Sequence, residues 1–313
     1  MLVQSIKKGL LVGLKTTWSL GKVIFPVTLA VSILQYTPLL AWLIKTVSPL
    51  MKLIGLPGDA AIPLVLGNVL NLYAAIGAIL TLDFSVKEVF ILAVMLSFSH
   101  NLIVESTVAL KAGVKIWIVL AVRLGLAFVS AAVINLVWHG GGSQAVYGFI
   151  QAKAEPASGV LNIILEAIGK AGLGIVQLAL IVIPLMAVIQ IMKDLQWLGK
   201  FSKTMAPMTR ALGMKENTST TMAAGLLFGL AYGAGVMIEA VKEDGVSQKD
   251  ATLAFIFLVA CHAVVEDTLI FIPLGIPVWP LLIIRIGVAI LLTFIVGTIW
   301  KQPGVIQRKE VNL

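Results

Sequence analysis

Apolar runs of about 20 residues recur along the chain and are separated by short polar or charged segments. A helix that rises about 1.5 Å per residue crosses a hydrocarbon core of roughly 30 Å with about 20 residues. Helices satisfy their own backbone hydrogen bonds, which lipid cannot do for them. The pattern therefore predicts an all-α, polytopic membrane protein folded as a helical bundle.

The same series of segments occurs twice. Each half is predicted to begin with an amphipathic interfacial helix, placed at 1–20 in the first half. There follow, in the first and second half respectively, an apolar segment at 21–36 and 174–192, a basic amphipathic segment at 39–55 and 197–213, a small-residue helix at 61–82 and 218–241, a motif-bearing segment at 86–111 and 248–273, and a last helix at 115–138 and 277–300. We assign residues 1–138 to a first repeat, 139–158 to a glycine-rich linker, 159–300 to a second repeat and 301–313 to a cytoplasmic tail.

Matches of rare residues at fixed offsets indicate that the halves are true repeats. An offset of 158 relates Pro26 to Pro184, Gly67 to Gly225 and Gly77 to Gly235, and an offset of 162 relates His100 to His262, Trp117 to Trp279, Arg123 to Arg285 and Trp138 to Trp300. The second offset pairs Glu105 with Asp267. A slip of one residue would instead pair Glu105 with Glu266, and the sequence leaves both pairings open.

The two motif-bearing segments carry the candidate chemistry. The first contains Ser99-His100-Asn101 and Glu105, and the second contains Cys261-His262 through Glu266, Asp267 and Thr268. Ionisable side chains are costly within a membrane and often mark substrate or ion paths. The candidate binding residues are His100, Asn101, Glu105, His262, Glu266 and Asp267, joined by Asn68 and Asn71 of the small-residue helix, whose amides would suit the polar edge of a base or sugar.

A structural interpretation of the same residues stays open at this point. Each imidazole would then bond only to a backbone carbonyl, and the carboxylates would be counter-ions of Arg123 and Arg285. These arginines would otherwise snorkel towards the membrane surface. His262 and Glu266 are four residues apart and would share a helical face, whereas His100 and Glu105 are five apart and would not. A bend in at least one motif is therefore expected, and a bend would free backbone groups to meet a ligand.

Composition supports the membrane assignment. Hydrophobic residues make up 59% of the 313 positions and charged residues only 12%, against about 25% charged residues in soluble domains. The net charge of +8 arises from lysines and arginines at the ends of apolar runs, where they set orientation in a bilayer, so we expect no nucleic-acid partner. The single cysteine excludes an internal disulfide and a cysteine-based zinc site.

Charge also bears on how the repeats are oriented. Parallel repeats of four crossings would place 12 lysines and arginines inside and 9 outside, whereas inverted repeats of three crossings give 15 inside and 6 outside. The positive-inside rule favours inversion. The odd crossing would come from a re-entrant hairpin in the motif-bearing segment, or instead from the amphipathic segment.

With both halves in view, the chain resembles the nucleoside recognition, or Gate, family of bacterial membrane proteins, related to the spore maturation A and B proteins. More distant relatives are the membrane part of the ferrous iron transporter and the concentrative nucleoside transporters. The resemblance rests on Gly67-Asn68-Val69-Leu70-Asn71 and on the two motifs. It implies a nucleoside or a similar small polar solute as ligand. Unlike the iron transporter, the chain has no G-x-x-x-x-G-K-[ST] phosphate loop.

Three functions follow as hypotheses. The first is a secondary transporter or substrate-binding permease for that solute, in the cytoplasmic (inner) membrane of a bacterium. The second is a divalent metal permease that uses His100, His262, Glu266 and Asp267 as ligands. The third is a non-transporting partner of a second membrane subunit, or of a second copy of the chain. We expect no enzyme, because H-E-x-x-H and G-x-S-x-G are absent, and no cofactor beyond a coupling ion or divalent metal.

Overall fold

Helices account for nearly all of the chain that the structure describes. In this computed structural model the described residues are 2–34, 37–148 and 160–300, and within them the β contact is one isolated antiparallel bridge between Ser85 and Gln144. The predicted all-α bundle is confirmed. The predicted tail at 301–313, and residues 149–158 of the predicted linker, lie outside the described residues.

Within the described residues, each half contains seven α-helices. Those of the first half are α1 (Leu2–Leu34), α2 (Pro38–Leu53), α3 (Ala61–Val69), α4 (Leu72–Ile79), α5 (Val86–Ser99), α6 (Leu102–Lys111) and α7 (Ile116–Val137). Those of the second half are α8 (Val160–Asp194), α9 (Trp197–Ala211), α10 (Ser219–Tyr232), α11 (Ala234–Glu243), α12 (Gln248–Ala260), α13 (Glu266–Leu269) and α14 (Val278–Ile299). Short 3-10 turns lie at Gly58–Ala60, Glu216–Thr218 and Ile272–Leu274.

Five helical segments in the described chain are long and apolar enough to cross a membrane, namely Leu2–Leu34, Val86–Lys111, Ile116–Val137, Leu161–Asp194 and Val278–Ile299. A sixth qualifies if Ile44–Leu53 and Gly58–Val69, which meet at 92°, form one broken span. The expected re-entrant hairpin is therefore wrong for the first motif-bearing segment, which continues through its break in one direction. The sharp bend lies earlier in the chain, at residues 54–57, between the two arms of this broken span.

The first helices of the two halves, α1 and α8, pack against each other along their length. A Cβ at Gly9 would lie 2.5 Å from Ala187 Cα, and one at Gly13 would lie 2.8 Å from Ile183 Cα. Residue numbers rise in one helix as they fall in the other, so the pair is antiparallel. Equivalent spanning helices that run antiparallel are what inverted repeats require.

This pairing also corrects the predicted helix boundaries. The separate helix at 1–20 and the apolar segment at 21–36 are one continuous helix, and the segment predicted at 174–192 begins already at Val160. Two lysines of this helix, Lys15 and Lys22, lie on exposed positions. They interrupt the apolar run in the sequence without disturbing the buried glycine face.

The motif-bearing helices α5 and α12 form the centre of the bundle. All residues of α5 from Val89 onward are buried, as are all residues of α12 from Asp250 onward. Each begins at a serine N-cap: Ser85 accepts from Glu88 N, and Ser247 accepts from Asp250 N. The last helix of each half packs against the motif helices of both halves, since α7 and α14 each contact both α5 and α12. These contacts between the halves bring the two motifs together.

Two equivalent glycines hold the small-residue helices against the motifs. A Cβ at Gly67 would lie 2.4 Å from Leu96 Cδ2, and one at Gly225 would lie 2.5 Å from Leu258 Cδ2. The lack of a side chain at these two positions therefore permits close packing of the helices. The close approach also lets the Gly67 and Gly225 carbonyls accept hydrogen bonds from backbone amides beyond the ends of the motif helices.

Candidate functional site

Both motif helices end just before their histidine, α5 at Ser99 and α12 at Ala260. Asn101 follows His100 with a φ of 52°, and Ala263 follows His262 with a φ of 39°. Their amides donate to the Gly67 carbonyl at 2.7 Å and to the Gly225 carbonyl at 3.0 Å. Left-handed backbone is tolerated by asparagine but is unusual for alanine. Such outliers concentrate at functional sites, and the expected bend occurs in both halves.

Each histidine ring is oriented by a hydrogen bond to the last turn of the helix that precedes it. His100 Nδ1 lies 2.7 Å from the Leu96 carbonyl oxygen, and His262 Nδ1 lies 2.8 Å from the Leu258 carbonyl oxygen. A carbonyl only accepts, so each Nδ1 carries a proton and each Nε2 is left for other partners. The ring centroids are 5.3 Å apart. The backbone bond proposed in the structural interpretation is present, and it fixes the rings with Nε2 directed away from their own helices.

Arg123 is fully buried and ties the first motif together. Its Nη1 lies 2.8 Å from Glu105 Oε2. Its remaining nitrogens donate to the carbonyls of Phe98, at 3.0 Å, and His100. The guanidinium thus neutralises one carboxylate and binds two carbonyls near the helix break.

Arg285 repeats this arrangement in the second motif. It is fully buried and donates to Asp267 Oδ2 at 3.1 Å, to the His262 carbonyl at 2.6 Å and to Thr268 Oγ1 at 3.3 Å. Both arginines therefore act as counter-ions, and the snorkelling hypothesis is wrong because each guanidinium finds its partners inside the bundle. The counterpart of Glu105 is Asp267, as the offset of 162 predicted.

The two motifs meet in one polar cluster. His262 Nε2 lies 3.3 Å from Glu105 Oε1 of the other half and 3.3 Å from Asp267 Oδ2 of its own. His100 Nε2 lies 3.5 Å from Glu105 Oε1 and 4.0 Å from Asp267 Oδ2. All four side chains are buried. The nitrogens and oxygens of both halves thus face a common point.

Glu266 faces a different partner. It accepts a 2.5 Å hydrogen bond from the Tyr73 hydroxyl of the first half. The expectation that His262 and Glu266 share a helical face is wrong, because α13 begins only at Glu266. Sequence reasoning missed Tyr73. The signal was a phenol inside an apolar helix, where the hydroxyl needs a partner.

A cavity of about 370 Å³ lies beside the cluster. It is lined by both motifs and by residues from the neighbouring helices, among them Asn71, Tyr73, Asn101, Phe228, Tyr232 and Glu266. Of the predicted binding residues, Asn68 is not among those that line it, and its amide donates to the Leu64 carbonyl at 2.7 Å. Asn71 lines the cavity and also caps α4 by accepting from Ala74 N at 2.9 Å.

Three of the four predicted metal ligands are close enough to share an ion. Donor atoms of His100, His262 and Asp267 all lie within 4.8 Å of one another. The fourth, Glu266, does not belong to this group and bonds to Tyr73 instead.

The sequence model of a family described as "Nucleoside recognition" (Gate) matches residues 17–115 and again 175–276. The chain is 65% identical over 305 residues to a protein of Bacillus subtilis (strain 168) named "Uncharacterized membrane protein YvoD", an alignment that covers 97% of this chain and 98% of the relative. No solved structure matches the chain.

Proposed function

Because the chain belongs to the nucleoside recognition (Gate) family of membrane proteins, we propose that it is a secondary transporter, or substrate-binding permease, for a small polar solute of the nucleoside class. The observation that carries the proposal is the cavity shared by both halves. Ligand pockets commonly enclose about 300–1,000 Å³, and this cavity of about 370 Å³ suits a solute of modest size.

The walls of the cavity offer the contacts that a nucleoside needs. Aromatic rings of Tyr73, Phe228 and Tyr232 line it, together with the Glu266 carboxylate. Aromatic rings stack on the faces of bases, while carboxylates accept hydrogen bonds from hydroxyl and amino groups. The mixture of flat apolar and hydrogen-bonding surface favours a nucleoside over a purely apolar solute, and ligand binding over catalysis.

The surrounding helices support transport. Broken helices that meet near the middle of a membrane, in two inverted repeats, are the usual frame of a secondary transporter, because one repeat can rock against the other around a fixed site. Here α5 and α12 both break beside the cavity, and α1 and α8 run antiparallel. We also propose that the protein lies in the cytoplasmic membrane of a bacterium, because the chain is 65% identical to a membrane protein of Bacillus subtilis.

The proposed topology predicts which segments share a side. Lys8 Nζ lies 3.9 Å from Asp194 Oδ1, so the start of α1 and the end of α8 are at one end of the bundle, which we place in the cytoplasm with residues 193–215. Residues 139–148 should face outward. In a Cys261→Ser background, Ser143→Cys, an exposed position, should react with a membrane-impermeant maleimide added outside cells. Labelling of Ser143→Cys only after the cells are opened would contradict the inverted arrangement.

A thermal-shift screen tests the proposed ligand class. Purified protein should be stabilised by nucleosides more than by free ribose or amino acids, because a ligand that binds the folded state raises its stability. Glu266→Gln should lower the shift, whereas Glu239→Gln, at an exposed position, should not. A chelator in every sample removes metal effects. Absence of any nucleoside shift, together with stable co-purification of a second membrane subunit, would support the partner-protein hypothesis instead.

A further inference from the structure

The polar cluster has more electron-rich atoms than its arginines can satisfy. Both Nδ1 atoms are occupied by backbone carbonyls, so Nε2 of each neutral ring carries a lone pair. These lone pairs face carboxylate oxygens at 3.3–4.0 Å. Arg123 holds Glu105 by Oε2 and leaves Oε1 to the imidazoles. In this buried place, such an arrangement calls for a positive charge at its centre.

One nitrogen of the cluster lacks a partner. His262 Nε2 is buried and has no hydrogen-bond partner among the described residues. Arg123 and Arg285 are directed to Glu105 and Asp267 and do not reach this nitrogen. A cation at the centre would satisfy it.

The spacing of the donors fits a metal ion. Ligands at 2.0–2.1 Å from a tetrahedral zinc-like centre are about 3.4 Å from one another. The distances from His262 Nε2 to Glu105 Oε1 and Asp267 Oδ2 are both 3.3 Å, and the distance from His100 Nε2 to Glu105 Oε1 is 3.5 Å. The fourth distance, from His100 Nε2 to Asp267 Oδ2, is 4.0 Å.

The surroundings of the donors also resemble those of metal ligands. A metal-bound histidine almost always donates its other ring N–H to a carbonyl or carboxylate, which fixes the tautomer and the ring. Both histidines do so here. The carboxylates are held in turn by Arg123 and Arg285. The donors are therefore positioned before any ion arrives.

We propose that His100, His262, Glu105 and Asp267 together bind one divalent transition-metal ion of the Zn²⁺ class, with two donors from each half of the chain. Two imidazole donors in a set of four protein ligands favour such an ion over Mg²⁺ or Ca²⁺, which prefer six or more oxygen ligands. The site is independent of which solute occupies the neighbouring cavity. Because it joins the two repeats, the ion would also stabilise their association.

Cobalt reports directly on this geometry. Tag-free, full-length protein in detergent, treated with chelator and then freed of it, is titrated with Co²⁺ in the absence of nucleosides. One Co²⁺ per chain should bind and give the intense visible absorption of a tetrahedral complex. Zn²⁺ should abolish this absorption, since it binds such sites more tightly than Co²⁺ does. The weak spectrum of octahedral Co²⁺, or less than one ion per two chains, would overturn the proposal without any variant.

Variants then locate the ion. His262→Ala should weaken Co²⁺ binding by at least about 100-fold, because even residues outside the ligand shell change metal affinity by about 10–100-fold. The matched control is His139→Ala, which removes an exposed histidine and should leave the affinity unchanged. Cys261→Ser should also retain the spectrum, since the thiol is not a proposed ligand. Equal affinity in His262→Ala and wild type would overturn the site, whatever the outcome of the nucleoside screen.

Discussion

Replacement of Arg123 by methionine should lower the free energy of unfolding by about 3–5 kcal/mol, because it leaves a buried carboxylate without its counter-ion. Arg123 and Glu105 are 0% and 4% exposed and lie 2.8 Å apart. The same change removes hydrogen bonds to the carbonyls of Phe98 and His100 at the helix break. Denaturant unfolding in one detergent, followed by tryptophan fluorescence, measures the loss.

The chain supplies a control of nearly equal geometry. Arg210 and Glu216 are 2.9 Å apart, but their side chains are 61% and 57% exposed. Exposed ion pairs contribute about 0–1 kcal/mol, so Arg210→Met should change stability by no more than that. Similar losses in Arg123→Met and Arg210→Met would mean that the buried pair does not hold the motif as described.

Replacement of either His100 or His262 by alanine should weaken solute binding by about 2–12-fold, since a hydrogen bond between neutral groups contributes roughly 0.5–1.5 kcal/mol. Stability should fall much less than in Arg123→Met, because both arginine–carboxylate pairs remain. Isothermal titration with the nucleoside that gives the largest thermal shift measures the affinity. His139→Ala is again the control. Normal binding by both histidine variants would remove the histidines from the site.

The location of the site could be predicted from the sequence because polar groups stand out in an apolar chain. His100 and Glu105 recur as His262 and Asp267 at one offset, and such ionisable side chains are energetically costly in a membrane unless they serve a function. The spacing of His100 and Glu105 predicted a bend in at least one motif, and the structure has a bend in both. This prediction rests on the helical period alone and needs no knowledge of contacts between helices.

The partners of these residues could not be predicted in the same way. Arg123 is 18 positions from Glu105, and whether it turns inward or snorkels depends on how α7 packs on α5. The bond between Tyr73 and Glu266 joins the two halves and has no counterpart, since Val104 occupies the position equivalent to Glu266. Repeat symmetry therefore cannot reveal it.

Helix boundaries failed where polarity was mistaken for interruption. The sequence pattern predicted separate segments at 1–20 and 21–36, yet Lys15 and Lys22, on either side of that division, both lie on the exposed side of one helix. The continuity of α1 depends on Gly9 and Gly13, which let α8 approach closely. The continuity of α1 therefore depends on its contact with α8, which the local sequence pattern does not reveal.

The central claim is that the two halves build one shared site, and a double-mutant cycle between His100 and His262 on solute affinity tests it most directly. Residues of one network show coupling energies of about 0.5–3 kcal/mol, whereas distant residues are additive within about 0.3–0.5 kcal/mol. The two rings lie 5.3 Å apart and contact the same Glu105 and Asp267 oxygens. The account predicts that His100→Ala with His262→Ala binds little more weakly than either single variant. Losses that add fully in the double variant would show that the two motifs act separately.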